Sequence, residues 1–422
     1  METSDFDFEN LLSIFEKSIT NNIEIKNYNE FLIAYSGGVD STALLYFANK
    51  IAKKKNMAIR AIHINHNLNK ESKNWEYHCN NFCKKNNINF EAKSINISIS
   101  SGDSIEERAR DERYFQIYSS MNEGSIMMTA HHLEDQAETF LYQLLRGSGS
   151  KGLSSMPSMK KLTKGIHLRP FLSLKKSTLI DIVEFAGLSY VNDNSNSNIS
   201  YSRNFIRKKV IPLIENRWPS YAYTISRSAN NAAESMKLNN DLASIDIKKY
   251  LHEDINKLGI GAKELCDYRF NNVVRFWIQK NKFRMPTSDQ LKSIYLNVFN
   301  AGEDKAPFFL CSEYEIRRSN NYIEIMKPLE KHDPEKIYKW KCKTNLVIPH
   351  LQIDITWKHL EEKLGYQLRK DVEVKFRRKG ENIKLSHDKS LKDYMRENKI
   401  PIWKRERTPL IYVNKELKII LD

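Results

Sequence analysis

Cysteine is scarce in this chain. Its five thiols, Cys79, Cys83, Cys266, Cys311 and Cys342, stand at spacings that make neither a disulfide framework nor a C-x-x-C pair. This excludes a disulfide-stapled secreted domain and predicts reduced thiols in the cytosol. His78 with Cys79 and Cys83 lacks the second ligand pair that zinc sites show, so one helical face is the simpler account of them. No apolar run is long enough to span a bilayer, and the acidic opening from Met1 to Asp7 lacks the basic and apolar stretches of a signal peptide. The expectation is a cytoplasmic protein with no membrane partner. Internal repeats and low-complexity segments are also missing. What is present is a globular balance, 41% hydrophobic and 28% charged. At 422 residues the chain is too long for one ordinary core, which predicts two or three domains.

Negative charge is in deficit. The formal net charge is +15, which points to a polyanionic partner, although the joint richness in Lys, Asn and Ile accounts for part of the lysine. Distribution says more than the total: from Lys331 to Asp422 there are 23 basic and 14 acidic residues, a net of +9. The end of the chain is therefore the expected nucleic-acid contact, with Lys375, Arg377, Arg378, Lys379, Lys404, Arg405 and Arg407 around Trp403 and few acids to neutralise them.

Short apolar segments alternate with helical ones. Phe31–Tyr35 precedes a helix from about Ser41 to Lys53, Ala58–Ile64 precedes Ser72–Lys85, Ile88–Ile97 precedes Ser104–Ser120, and Ser125–Thr129 precedes Glu134–Leu145. This is the pattern of βαβ units and a parallel, doubly wound sheet, with Ser104 and Glu107 as a capping box. Between the first strand and its helix, residues 36–41 read Ser-Gly-Gly-Val-Asp-Ser. A glycine-rich turn running into a helix start gathers backbone N–H groups into an anion site. It lacks the Gly-Lys-Ser/Thr ending of a Walker A loop, so no lysine reaches terminal phosphates; Asp40 and two hydroxyls stand there instead. The loop resembles the PP-loop of the N-type ATP pyrophosphatases, which implies that ATP is split to an adenylate and pyrophosphate. Two more motifs fall at strand ends, where ligands gather in such sheets: His63-Ile-Asn-His66 and Thr129-Ala-His131-His132.

Asp135 and Glu138 share one side of a helix start. Beside a phosphate loop they suit a metal or an ammonium group; as an acidic first turn they also suit the helix dipole alone. Arg110 and Arg113 lie at helical neighbour spacing in a run that a solvated ion-pair face would explain as well. Trp218–Asn240 and Tyr268–Gln279 read as amphipathic helices of a second domain, and residues 327–334, with Pro328 and Pro334, read as a linker.

Taken in order, the loop at Ser36–Ser41, His63 and His66, Glu107-x-Ala-Arg110-x-x-Arg113-Tyr114, Thr129–His132, Asp135–Thr139, Leu145–Gly149 with Gly152-Leu153, Arg169-Pro170, Asp193-x-Ser195-Asn196 and Tyr201-x-Arg203-Asn204-x-Ile-Arg207 resemble the tRNA(Ile)-lysidine synthetases. Arg378-x-Gly380, Leu391-Lys392 and Lys399-Ile-Pro401-x-Trp-x-Arg405 resemble that family's C-terminal domain. Two positions depart from the family pattern, Glu134 in place of an aspartate and Asn67 in place of a glycine.

The resemblance implies an α/β PP-loop ATPase domain at 1–210, a helical substrate-binding domain at 211–330 and a small α+β tRNA-binding domain at 341–422. It implies ligation of lysine to carbon 2 of the wobble cytidine of the CAU-anticodon tRNA(Ile) through an adenylated intermediate. Decoding then switches from AUG to AUA. ATP and Mg²⁺ would be the cofactors, tRNA(Ile) and free L-lysine the partners, and the chain a monomer or homodimer. Ser36, Gly37, Gly38, Val39, Asp40 and Ser41 would bind ATP, with Asp40 near the metal. Asp135 and Glu138 would hold lysine or metal, and Arg110 or Arg113 the phosphate or activated base. His63, His66, His131, His132, Arg203, Arg207, Arg377, Arg378, Lys379 and Arg405 would meet the tRNA. A PP-loop tRNA thiolase, which needs reactive or cluster-binding cysteines, and a non-catalytic tRNA-binding protein are the alternatives.

Overall fold

The computed structural model describes residues 7–65, 71–95, 105–192, 199, 201–302, 306–319, 321–341, 344–368, 372–378, 381, 383–385 and 390–421. Expectations placed on His66, Asn67, Ser104, Asp193, Ser195, Asn196, Cys342, Lys379 and Gly380, and on the side chain of Glu107, lie outside them. Contacts divide the chain into two units, Met1–Lys237 and Leu238–Asp422.

The first unit opens with α1 (Phe8–Thr20) and then alternates: β1 (Glu30–Ala34), α2 (Val39–Lys55), β2 (Ala58–Asn65), α3 (Ser72–Lys85), β3 (Asn89–Ser94), α4 (Ile105–Ser119), β4 (Ser125–Met128) and α5 (Leu133–Leu145). The short α6 (Ser150–Leu153), the strands β5 (Met159–Leu162) and β6 (Gly165–Leu168), and α7 (Lys176–Phe185) follow. The strand order is β3-β2-β1-β4-β6-β5, parallel except for the antiparallel β5–β6 pair. Residues alternate across the sheet as a period of two requires. Phe31, Ile33 and Tyr35 of the β1 segment join the core under α1, α2 and α7. Leu32 faces the other way, packing with Ile62, Met127, Ile117 and Met121.

Successive crossovers carry the chain outward from β1 to β3, and it then returns to the other side of β1 as β4. Loops leaving β1 and β4 therefore part in opposite directions and open a crevice at their carboxyl ends, the usual ligand position in such sheets. The N-termini of α2 and α5 both stand there. Farther on, α8 (Ser202–Phe205), a π turn over Ile206–Val210 and α9 (Ile211–Arg217) run end to end. Pro212 explains the wide turn, since it has no N–H to donate to the carbonyl four residues back. Next, α10 (Tyr221–Ile247) runs across the division between the units.

In the second unit, β7 (Lys257–Gly259), α11 (Asp267–Lys280), α12 (Ser288–Ile294), β8 (Phe308–Leu310), β9 (Glu315–Ser319) and β10 (Tyr322–Met326) bury one core around Trp277, Phe270 and Ile316. Helices thus pack on an antiparallel sheet of order β7-β10-β9-β8. No helix or strand occupies 327–337. A second core, around Trp340, Trp357 and Val374, gathers β11 (Tyr338–Trp340), β12 (Leu346–Ile348), β13 (Ile353–Ile355), α13 (Trp357–Leu364) and β14 (Val372–Lys375). The chain closes with α14 (Leu391–Glu397), α15 (Ile402–Arg405), β15 (Leu410–Val413) and β16 (Glu416–Ile420). Among the described residues no helix is long and apolar enough to cross a membrane.

Candidate active site

The loop between β1 and α2 is shaped by its glycines. Gly37 sits at φ +85°, and a Cβ there would stand 2.9 Å from Cys79 Sγ and 3.0 Å from Val191 Cγ2, so both backbone and space demand glycine. Its carbonyl accepts from the Val191 N–H at 2.9 Å. Gly38 caps α2 with no side chain to satisfy the first-turn amides, which leaves those N–H groups and the dipole for an anion. Ser36 and Ser41 hydroxyls lie 3.0 Å apart, and Ser41 also donates to the Gly38 carbonyl at 3.0 Å. The serines thus brace the turn from within.

Asp40, in the first turn of α2, meets the start of α5. Its Oδ2 lies 3.9 Å from His132 Nε2, and its buried Oδ1 has no hydrogen-bond partner among the described residues. Burial lifts the Asp40 pKa above the ordinary range, with Asp135 adding to the rise and His132, Lys176 and Arg207 opposing it. His132 caps α5: its Nδ1 is 2.9 Å from Glu134 Oε2, and its backbone N–H donates to Asp135 Oδ2 at 3.1 Å. Burial works against the charged ring, but Glu134, Asp135 and Asp40 together carry its pKa upward. Glu134 also accepts from the Lys176 backbone N–H at 3.0 Å.

Arg207 comes from the π turn. It donates to Glu138 through Nε at 2.5 Å and Nη2 at 2.8 Å, and to Asp135 Oδ1 at 2.9 Å. Burial raises the Glu138 pKa even against this guanidinium. Four carboxylates, Asp40, Glu134, Asp135 and Glu138, thus crowd the crevice against the guanidinium of Arg207, the imidazole of His132 and the nearby Lys176. Acid outnumbers base, and a further cation would be welcome.

The other flank is basic. Thr129 at the end of β4 holds His131 Nδ1 at 2.8 Å and His167 Nε2 at 2.8 Å. Arg169 donates to the Pro157 carbonyl at 2.8 Å while its Nε is buried without a partner. Arg110 and Arg113 lie over the Tyr114 ring at 5.6 and 5.7 Å. Burial and the charge of Arg169, Arg110 and Arg113 keep His131 neutral, and His167 is pushed down to about 2 by burial and Arg169. No carboxylate pairs with Arg110, Arg113 or Arg169 among the described residues. Three guanidiniums beside neutral imidazoles suit a phosphate or an electron-rich base.

Some expected residues gather and others do not. The loop, Asp40, His132, Asp135, Glu138 and Arg207 form one cluster, and Arg110, Arg113 and His131 form its basic neighbour. His63 is committed elsewhere, with Nδ1 3.0 Å from the Tyr35 carbonyl and 3.7 Å from Cys79 Sγ. Arg203 lies over Tyr142 at 5.6 Å. Arg377, Arg378 and Arg405 belong to the second unit. Sequence reasoning passed over His167 and Lys176, named Glu134 only as a departure from the family pattern and used Arg169 only as a motif marker.

Residues 11–214 match the PP-loop domain family, so fold and site together define an ATP-using PP-loop enzyme. Residues 263–323 match the TilS substrate binding domain and 372–422 the TilS substrate C-terminal domain. The tRNA(Ile)-lysidine synthase of Coxiella burnetii is 36% identical over 397 residues, covering 92% of this chain and 88% of that one. That of Wigglesworthia glossinidia brevipalpis is 38% identical over 314 residues, covering 72% and 76%. The chain belongs to the tRNA(Ile)-lysidine synthase family, ligases that form lysidine at the expense of ATP. A U34-tRNA thiolase from Methanococcus maripaludis overlaps 53% of this chain and 78% of its own at 16% identity and a TM-score of 0.45, too slight a likeness to carry an argument.

Proposed function

We propose that the acidic crevice beside the loop seats the lysine amine, while the Ser36–Ser41 loop holds the phosphates of ATP and the Arg110, Arg113 and Arg169 flank faces the RNA base. The reaction ligates lysine to carbon 2 of the wobble cytidine of the CAU-anticodon tRNA(Ile). Oxygen bound to a pyrimidine ring is a poor leaving group, so the carbonyl oxygen first attacks the α-phosphorus and pyrophosphate departs. The amine then forms the C–N bond at carbon 2, the C–O bond breaks, and AMP leaves with the oxygen. A lysine ammonium has no lone pair until it loses a proton. Glu138 is the base for that step, because burial has raised its affinity for a proton and Arg207 holds it in place.

The unpartnered Oδ1 of Asp40 fits Mg²⁺, a hard cation usually held by one or two carboxylates together with substrate phosphates. When bound, the ion neutralises charge on the departing pyrophosphate. A thiolase reading finds no support in the first unit, where Cys79 and Cys83 are buried and their thiols pushed up to about 12. A cytoplasmic location is part of the same proposal, since tRNA, ATP and free lysine meet there.

The observation that carries this reading is the excess of carboxylates over cations beside a phosphate loop. Mass analysis of the CAU tRNA(Ile) incubated with protein, ATP, Mg²⁺ and lysine tests it. AMP and pyrophosphate are expected in step with lysidine; ADP and phosphate would overturn it.

A further inference from the structure

Beyond the carboxylate cluster, α5 carries a second feature to which the proposed function assigns no role. Tyr142, Leu145, Arg146, Ser202, Phe205 and Ile206 line a cavity of about 340 Å³, at the lower end of the range for small-molecule sites, roughly 300–1,000 Å³. Its lining is largely apolar and aromatic: Ile206 is buried, while Leu145 and Phe205 face water at 73% and 47% exposed. The Tyr142 ring carries two guanidiniums, Arg146 at 5.2 Å and Arg203 at 5.6 Å from its centroid. Arg146 also donates to the Tyr142 hydroxyl at 3.0 Å. Flat apolar surface interleaved with guanidinium planes is the chemistry that receives an unstacked base and its phosphate.

The cavity adjoins the crevice through both of its walls. Tyr142 follows Glu138 by one helical turn on the same side of α5, and Ile206 directly precedes Arg207. Those four residues are roughly 6 Å of rise, more than the roughly 3.4 Å between stacked bases, as a strand splayed to present one base for reaction requires. Resting on the reading that tRNA is the substrate, we propose that this cavity stacks the base of a nucleotide adjoining the reacting cytidine, and that Tyr142 and Arg146 thereby register the anticodon loop.

The test measures binding of the full-length protein to CAU tRNA(Ile) transcripts without ATP or lysine. Tyr142→Ala should weaken binding about tenfold, the size of one lost base stack. Tyr142→Phe should keep the parent affinity, and Arg146→Ala, at an exposed position, should bind with a shallower salt dependence. A transcript made abasic at one nucleotide next to the reacting cytidine should bind the parent and Tyr142→Ala equally, since the contact is already gone. Equal affinity of parent and Tyr142→Ala for the intact transcript overturns the proposal. So does a loss in Tyr142→Ala that persists for every abasic transcript, which marks mere damage to α5. A raised KM for ATP with unchanged RNA affinity makes the cavity a site for the purine of ATP and also overturns it. A parent protein that forms no lysidine defeats the functional reading itself; one that forms lysidine while Tyr142→Ala binds RNA normally defeats only the cavity.

Discussion

Asp40 is the residue on which loop and crevice meet, and its environment sets two opposite expectations. Its folded pKa lies above that of the unfolded chain. Between those two values the folded state holds the extra proton, so stability declines as pH rises through that interval. Near neutrality Asp40→Asn should therefore melt higher than the parent in a thermal scan, while AMP formation falls on the order of 10²–10³-fold. A lower melting point would show the carboxylate to be structural. Glu138 gives a second expectation. With its pKa raised by burial, kcat/KM for lysine should show an acid limb above the ordinary glutamate range, and Glu138→Gln should abolish that limb and raise the lysine KM. An unchanged lysine KM would return Glu138 to the role of helix-dipole partner. Asp40 was legible in the sequence because its whole context is local, six residues between a strand and a helix. His167 was not, since its meeting with Thr129 depends on β6 lying beside β4, 38 positions away in sequence.

At the scale of elements, the alternation of short apolar runs with helical ones yielded the order from β1 to α5, because each strand is a local period and each helix a local cap. The antiparallel sheet β7-β10-β9-β8 of the second unit was not legible. Its β7 and β10 pair Leu258 with Ile323, strands of three and five residues too short to show a pattern and too far apart to announce a partner. The π turn was equally hidden, although Pro212 marks its cause. Pro212→Ala restores the missing N–H and lets the helix tighten, which should draw Arg207 away from Asp135 and Glu138. Lysidine formation is then expected to fall with helix content unchanged by circular dichroism; wild-type turnover would show that Arg207 does not depend on the wide turn.

For the molecule as a whole, counting charges gave the sign of the C-terminal surface but overstated its strength. Lys375 pairs with Glu373 at 2.8 Å, Arg378 with Glu335 at 3.0 Å and Lys404 with Glu324 at 3.7 Å, and Trp403 is half-buried with its Nε1 enclosed. Glu373 stands two residues from its partner, but the sequence concealed Glu335 and Glu324, which come from segments well before the basic run. What remains is Arg377 and Arg405, beside an Arg396 that pairs with Asp393 at 3.2 Å; their charges oppose one another, as the lowered pKa of Arg405, from burial first and then Arg377 and Arg396, records. Replacing Arg377 and Arg405 by Ala should weaken tRNA binding and reduce the log-log salt slope by somewhat under one for each lost phosphate contact, about 0.7–0.9. An unchanged slope would leave the RNA to the first unit alone.

Cys79 lies under Gly37 with its thiol fully shielded. Alkylating reagents can reach that sulfur only while the turn above it lifts, so the rate at which Cys79 is labelled measures how often the nucleotide loop breathes. ATP held on the loop should slow that chemistry without touching the protein's exposed Cys266, giving each molecule its own internal reference for occupancy.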